Sequence, residues 1–483
     1  MLLMVMLGLG TTGLAAAQQP PATTTLTTIS SNVEQGQQPA IVADASGTVH
    51  VFWSSRRMDR EVDARVIVYS RYENGEWTEP VDIVASPGGQ DALFPRTVVD
   101  DSGRIHLFWS APDQGVFGPL YHSWAWAAEA TSAQNWHSPA LIAEGTYWGD
   151  AEVDSRGRLH VVYASVTDGL GICHRLSVDN GERWGAPSCI PRGYVLRDGE
   201  AEVRPRLAID SRDTLHVVWM LDDYSPLSVV AYSSRAVYYA RSLDGGQSWT
   251  DLIAIDEVES RQEGKVLGPD WGNVAIDGED RVHIVWVGSG DMYRHHQWSG
   301  DGGVTWTAPQ VIIPSGGYNG WQGLAVDAGG KLHVAWASLN GLEYTCWDGN
   351  AWASPVTVAS VGAPHYVQAA VALGNQLHLV WQNHGGNLSP SQPGLIIHTM
   401  LEVEAPGVEP QPLPTPPLPA QPAATSLPTQ APRPTAAVSS PTAPRSVEPF
   451  VPVSGTTMPG LIGVVPAALL VGLVLLLRLR RAR

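Results

Sequence analysis

One phrase returns seven times along this chain: an apolar run, an acidic residue, a short turn, an apolar residue, histidine, two apolar residues and an aromatic. It reads PAIVADASGTVHVFW, PRTVVDDSGRIHLFW, DAEVDSRGRLHVVY, PRLAIDSRDTLHVVW, GNVAIDGEDRVHIVW, GLAVDAGGKLHVAW and AAVALGNQLHLVW, with Ala372 standing for the acidic residue in the last copy. The histidines are His50, His106, His160, His216, His283, His333 and His378, spaced 45 to 67 residues apart. Repetition on this scale is the mark of a propeller or solenoid.

Each copy holds two strand-length apolar runs about a turn, which is a hairpin. A second pair of runs follows, clearest in VIVYSRYENGEWTEPVDIV, AVYYARSLDGGQSWTDLIAI and YRHHQWSGDGGVTWTAPQVII. Four strands per repeat make a propeller blade, so the sequence predicts an all-β, seven-bladed β-propeller over residues 24–404. The last repeat, from Tyr366 to Glu404, is expected to be completed by an N-terminal strand from Thr24 to Ser30, joining the chain ends into one ring.

Three outer turns share the pattern S-x-D-x-G-x-x-W: Ser177, Asp179, Gly181 and Trp184; Ser242, Asp244, Gly246 and Trp249; Ser299, Asp301, Gly303 and Trp306. Weaker copies end at Trp77, Trp136 and Trp352. The aspartate can accept backbone N–H bonds across the turn, the glycine supplies positive φ and the tryptophan packs over the hairpin. The pattern resembles the Asp-box, or BNR, repeat of the sialidase superfamily, and the resemblance spans residues 24–404. In that family the boxes lie opposite the active site, so they imply a fold and not a chemistry. The resemblance implies six blades, whereas the repeat count here implies seven.

The ends of the chain predict export and anchoring. Residues 1–17 are apolar and close on Ala15, Ala16 and Ala17, as a signal peptide does. Residues 405–457 turn to Pro, Thr, Ala and Ser, a disordered, extended stalk that at about 3.1 Å per residue reaches roughly 150 Å. Residues 458–477 are uncharged and apolar, long enough for one transmembrane helix. Residues 478–483 carry Arg478, Arg480, Arg481 and Arg483, a basic cytoplasmic tail that leaves the propeller outside the cytoplasm. A net charge of −18 argues against nucleic acid, whose phosphates need a basic footprint. Of the three cysteines, Cys173 and Cys189 flank one hairpin and suit a cross-strand disulfide, while Cys346 has no evident mate. Metal-ligand spacing is absent, no cofactor is expected, and a monomer is.

The repeated histidine shares a strand face with core positions and reads as a buried structural hydrogen-bonding group, with ligand chemistry the lesser alternative. Ligand-binding candidates come instead from the start of each first strand, which lies at one end of the central channel. Six residues before the repeat acid stand Gln38, Phe94, Trp148, Arg204, Trp271, Trp321 and Tyr366; two further on stand Ala40, Arg96, Asp150, Arg206, Asn273, Gly323 and Gln368. An aromatic ring above a polar ring suits sugars and other polar ligands. The bland alternative is that these aromatics plug the channel or pack between blades. Polar loops on the same side, SSRRMDREVDAR, LDDYSPL and DEVESRQEGKVLGPD, add recognition surface.

The sialidase resemblance also implies a catalytic set: three arginines on the substrate carboxylate, a Tyr nucleophile with a Glu partner, and an Asp acid/base. This chain departs from it. The R-I-P motif of the first family arginine is missing and Gln38-Pro39 stands in the first blade. Tyr366 or Tyr147 with Glu144, Asp150, Glu200 or Glu202 are nominal partners that nothing in the sequence selects. The reading is therefore a cell-surface propeller that binds glycan or protein at its channel mouth, with an exo-acting sialidase bearing a divergent arginine clamp as the alternative.

Overall fold

The computed structural model describes residues 25–30, 34–57, 64–112, 117–169, 171–197, 199–223, 233–258, 268–291, 293–313, 321–338, 340–360, 364–383 and 394–416. They belong to a compact unit that ends at Pro417. The predicted signal peptide, transmembrane helix and basic tail lie outside the described residues, as do most of the stalk and parts of the three polar loops. Among the described residues no helix is long and apolar enough to cross a membrane, and three 3-10 turns are the only helical elements.

Strands dominate, and they pair antiparallel within units of four. The first strands of the successive units are Glu34–Ala43, Leu93–Val99, Ala140–Val153, Glu200–Ile209, Asp270–Ile276, Gln322–Val326 and Pro364–Ala372. Each pairs with the histidine-bearing strand after it. Each also touches the first strand of the next unit, and the last touches the first, so the order is cyclic. That arrangement is a β-propeller around a central channel. The second and third units share one sheet because Ala140–Val153 is long enough to be the outer strand of one and the inner strand of the next. In the last unit the fourth strand comes from the other end of the chain: Thr27 and Thr28 pair with His398 and Ile397, and the Ile29 N–H donates to the Ile396 carbonyl at 2.9 Å.

The repeat acid and histidine explain each other once the turn is formed. Asp44 Oδ1 accepts the N–H groups of Ser46 and Thr48 at 2.8 and 3.1 Å, and its Oδ2 meets His50 Nε2 at 3.0 Å. The same contact recurs at Asp100, Asp154, Asp210, Asp277 and Asp327, with Nε2 to carboxylate distances of 3.0 to 3.4 Å. A neutral imidazole donating from Nε2 must accept at Nδ1. The third strand supplies the partner, Tyr69, Tyr239 and Tyr344 at 2.8 Å or His122, His174, His296 and His398 at 2.9 to 3.1 Å. The seventh unit lacks the acid, and there His378 Nε2 is buried without a partner. The histidines are structural relays.

Those relays end under the S-x-D-x-G-x-x-W turn, or box, of the next unit. In each box the serine hydroxyl accepts the glycine N–H at 2.8 Å, and the aspartate accepts N–H groups beyond the glycine, from Arg183, Ser248 and Thr305 at 2.8 to 2.9 Å. Gly181, Gly246 and Gly303 have φ of 84°, 87° and 86°. A Cβ on them would also collide with His122, His174 and Tyr239 of the preceding unit. The box tryptophans stand edge-on to the same rings, Trp184 to His122, Trp249 to His174 and Trp306 to Tyr239, at 4.9 to 5.8 Å. The glycine is thus needed for space as well as for φ.

Cys173 and Cys189 are joined in a disulfide with a sequence separation of 16; Cys346 is buried and reduced. Replacing both bridged cysteines by serine is expected to lower stability by about 3 kcal/mol, the chain-entropy value for a loop of this size, seen as a lower urea midpoint under non-reducing conditions. Past the last strand the chain does not leave at once. Val408 N–H donates to Leu373 O and Gln411 N–H to Ala45 O, both at 2.8 Å, and Leu413 packs against the apolar cluster between the first two units. The first residues of the proline-rich segment therefore cross the inner-hairpin turns on the face away from the aromatic mouth.

Candidate functional site

Six of the seven mouth positions share a backbone state that the repeat does not advertise. Gln38, Phe94, Trp148, Arg204, Trp271 and Tyr366 have φ between 51° and 62°. At each, the pairing with the second strand slips, so each is the extra residue of a β-bulge. Left-handed backbone costs a bulky residue roughly 1–2 kcal/mol, and its recurrence at one level of the channel is a functional signal. The bulge turns the side chain off the strand's alternation and across the channel.

The aromatics meet there. Ring centroids lie 4.0 Å apart for Phe94 and Trp148, 4.5 Å for Trp148 and Trp321, 4.9 Å for Trp271 and Trp321, and 5.0 Å for Trp321 and Tyr366. Trp148 and Trp321 are each only 5% exposed, while Phe94, Trp271 and Tyr366 are half-buried around them. Tyr147 extends the cluster outward, edge-on to Phe94 and Phe117 at 6.0 and 5.8 Å. The indole Nε1 atoms of Trp148, Trp271 and Trp321 are buried without a hydrogen-bond partner. The predicted ring of five aromatics is therefore one cluster that fills the mouth, with its outer edge half exposed. Gln38, one of the two non-aromatic members, accepts the Phe94 N–H at 2.9 Å.

Beneath the cluster lies the predicted polar ring. Asp150 Oδ1 is 3.4 Å from Arg96 Nε and 3.9 Å from Arg206 Nη1, and its Oδ2 accepts the Leu207 N–H at 3.0 Å. Both guanidinium groups face the Trp321 ring, at 5.5 and 4.8 Å. Burial, with Arg206 beside it, pushes Arg96 down to about 9, and burial likewise lowers Arg206. Glu152, two residues beyond Asp150 on the channel wall, is pushed up to about 8 by burial and by the Asp150 charge, so it is largely protonated at neutral pH. Asn273 donates to Gln322 O at 3.3 Å and lines the same chamber as Gln368.

Arg204 goes elsewhere. Alternation places it on the channel side with Arg206, but the bulge turns it between the fourth and fifth units. There it forms two bonds to Asp222 at 2.5 Å, lies 3.2 Å from Asp270 and stacks on Trp271 at 4.4 Å. Burial pushes Asp270 up to about 6. Among the described residues two arginines, not three, converge, and a carboxylate already stands between them. The nominal catalytic acids are also engaged: Glu202 accepts from Tyr194, Trp219 and Arg192 at 2.6, 3.1 and 2.8 Å, and Glu200 from the Arg197 N–H at 2.8 Å, with Arg235 at 3.0 Å. Glu144 is exposed. The Tyr194 and Glu202 contact went unread in the sequence, where eight residues and a crossover loop separate them; nothing local signals it.

No family model matches the chain, and no curated protein does. Among solved structures it is similar to an ulvan lyase of polysaccharide lyase family PL25, at 14% identity and TM-score 0.51 over 80% of this chain and 96% of that one. It is similar to a protein of unknown function from Dyadobacter fermentans, at 15% identity and TM-score 0.49 over 80% and 100%. The intramolecular trans-sialidase from Ruminococcus gnavus matches at 11% identity and TM-score 0.42 over 76% and 94%, too loosely to bear on function. At these identities the likeness is one of fold.

Proposed function

We propose that this chain is a seven-bladed, sialidase-like propeller, exported and held at a cell surface by its C-terminal apolar segment, that binds glycan or protein at its channel mouth without cleaving it. The observation that carries the reading is the contiguous aromatic cluster, four of whose five rings stand on strained bulges, with half-exposed Phe94, Trp271 and Tyr366 and a buried indole N–H on Trp271 lacking an acceptor. Flat rings with an unfilled donor suit the apolar face and hydroxyl oxygens of a sugar. The cyclic contact order of seven first strands, with the last unit completed from the N-terminus, supports seven blades. Binding is favoured over hydrolysis because Arg96 and Arg206 share Asp150 and Arg204 is committed to Asp222 and Asp270.

The purified full-length chain, screened on an array that includes acidic polysaccharides and sialosides, is expected to retain a defined glycan and to show no turnover of a fluorogenic sialoside. Trp271→Ala and Tyr366→Ala should each weaken retention about ten-fold or more, as loss of a central aromatic contact does. Sialoside turnover abolished by Arg206→Ala would make the protein an enzyme with a rearranged clamp.

A further inference from the structure

The polar chamber below the aromatic cluster has its own entrance. It has a volume of about 330 Å³, room for about ten waters, and its wall continues through Ile41, Thr97, Glu152 and Ala325 into a wider cavity that reaches Asp101 and Ser155 at the inner-hairpin turns. At the other end the guanidinium groups of Arg96 and Arg206 lie against the buried Trp321 ring, which closes it. The chamber is a dead end entered from the turn face, so a polymer cannot thread it, but a small solute can reach its end.

At that end two guanidinium groups are under-used. Arg96 and Arg206 are each only 9% exposed. Among the described residues the Arg96 side chain makes one hydrogen bond, Nη1 to Pro95 O at 3.2 Å, and that of Arg206 makes none; each meets Asp150 at 3.4 or 3.9 Å, longer than a charge-assisted bond. Their remaining N–H donors face the chamber that both residues line, where a solute can reach them. Two like charges side by side with one carboxylate between them leave a net positive charge in a low-dielectric site. Glu152 does not supply the second negative charge at neutral pH.

We propose that the chamber binds a small oxyanion of the phosphate or sulfate type, seated between Arg96 and Arg206 beneath Trp321 and entering from the turn face. The anion takes the paired N–H donors that Asp150 leaves unfilled, and the guanidinium planes keep their stacking on Trp321. This site is separate from the mouth and does not rest on what the mouth binds.

The test is calorimetric titration of inorganic phosphate into the full-length chain at constant ionic strength. Saturable binding is expected, weakened about ten- to a hundred-fold in Arg206→Gln, the range for losing charged hydrogen bonds. Asp150→Asn, which removes the competing carboxylate, should tighten it, and this variant carries the test if the arginine variant does not fold. Trp271→Ala should leave the phosphate isotherm unchanged, which separates this result from the mouth reading. No saturable heat, equal binding by Arg206→Gln, or unchanged or weaker binding by Asp150→Asn would overturn the proposal.

Discussion

Acidification from pH 7 to pH 4 should destabilise this protein. Burial and the partner histidine push His174 and His398 down to about 3, burial pushes His378 to about 4, and the same causes hold His122 and His296 well below the ordinary value. Nδ1 of His296, for one, accepts from Trp352 Nε1 at 3.2 Å, a bond that protonation abolishes. The unfolded chain takes protons near pH 6.5 that the folded chain refuses, so this stability is fully present above about pH 6.5 and is lost as pH falls toward the folded values. Keeping the His174 and His398 rings neutral costs about 3 kcal/mol each at pH 4, and His122 and His296, held low by the same causes, add to that cost. Glu152 and Asp270, whose raised values favour the protonated folded state, return about 5 kcal/mol over the same range.

The histidine cost exceeds that return once His122 and His296 are included, so stability falls as the pH falls toward 4. The carboxylates of the relays act lower: Asp100 is held at about 2, chiefly by His106 and Ser102 against the opposing effect of burial, so its contribution is present above about pH 3.8 and lost below. Urea midpoints between pH 7 and pH 4 measure the slope. Three units already carry tyrosine where the others carry the second histidine, so His174→Tyr should fold and flatten the profile. A wild-type profile level to pH 4 would mean that the paired rings are not held neutral.

Trp321→Ala should cost about 3–5 kcal/mol, the range for truncating a buried large aromatic. This ring touches Trp148, Trp271 and Tyr366 within 5.0 Å and carries both chamber arginines on its face, so nothing small can move in to fill its place. The gap would join the mouth to the chamber. Added indole should raise the melting temperature of Trp321→Ala and leave the wild type unmoved, because a ligand that restores the lost ring contacts with Trp148, Trp271 and Tyr366 binds only the folded variant. Trp321→Phe should lose much less. A cost under about 1 kcal/mol for Trp321→Ala would show that the five rings are not packed as a plug.

Much of the frame could be read from residue order. The strand-turn-strand repeat placed all seven histidine-bearing strands, the face of His50 or His283, the Cys173 and Cys189 bridge and the pairing of the N-terminal segment with the last unit. It also brought Phe94, Trp148, Trp271, Trp321 and Tyr366 to one end of the channel. These features follow from a period of two along a strand and from a repeated register, both local properties of the chain.

The tertiary structure alone decided what those residues do. A single bulge residue at φ 54° sends Arg204 to Asp222 and leaves Arg206 facing Asp150, although two residues apart on a regular strand would share a side. Gly181 must be glycine partly because His122 of another unit lies against it, and Ala45 and Leu373 hold the start of the proline-rich segment. Such outcomes depend on which units become neighbours when the ring closes. Contacts between residues fifty or more positions apart leave no period in the sequence, and they set the direction of each side chain at the channel.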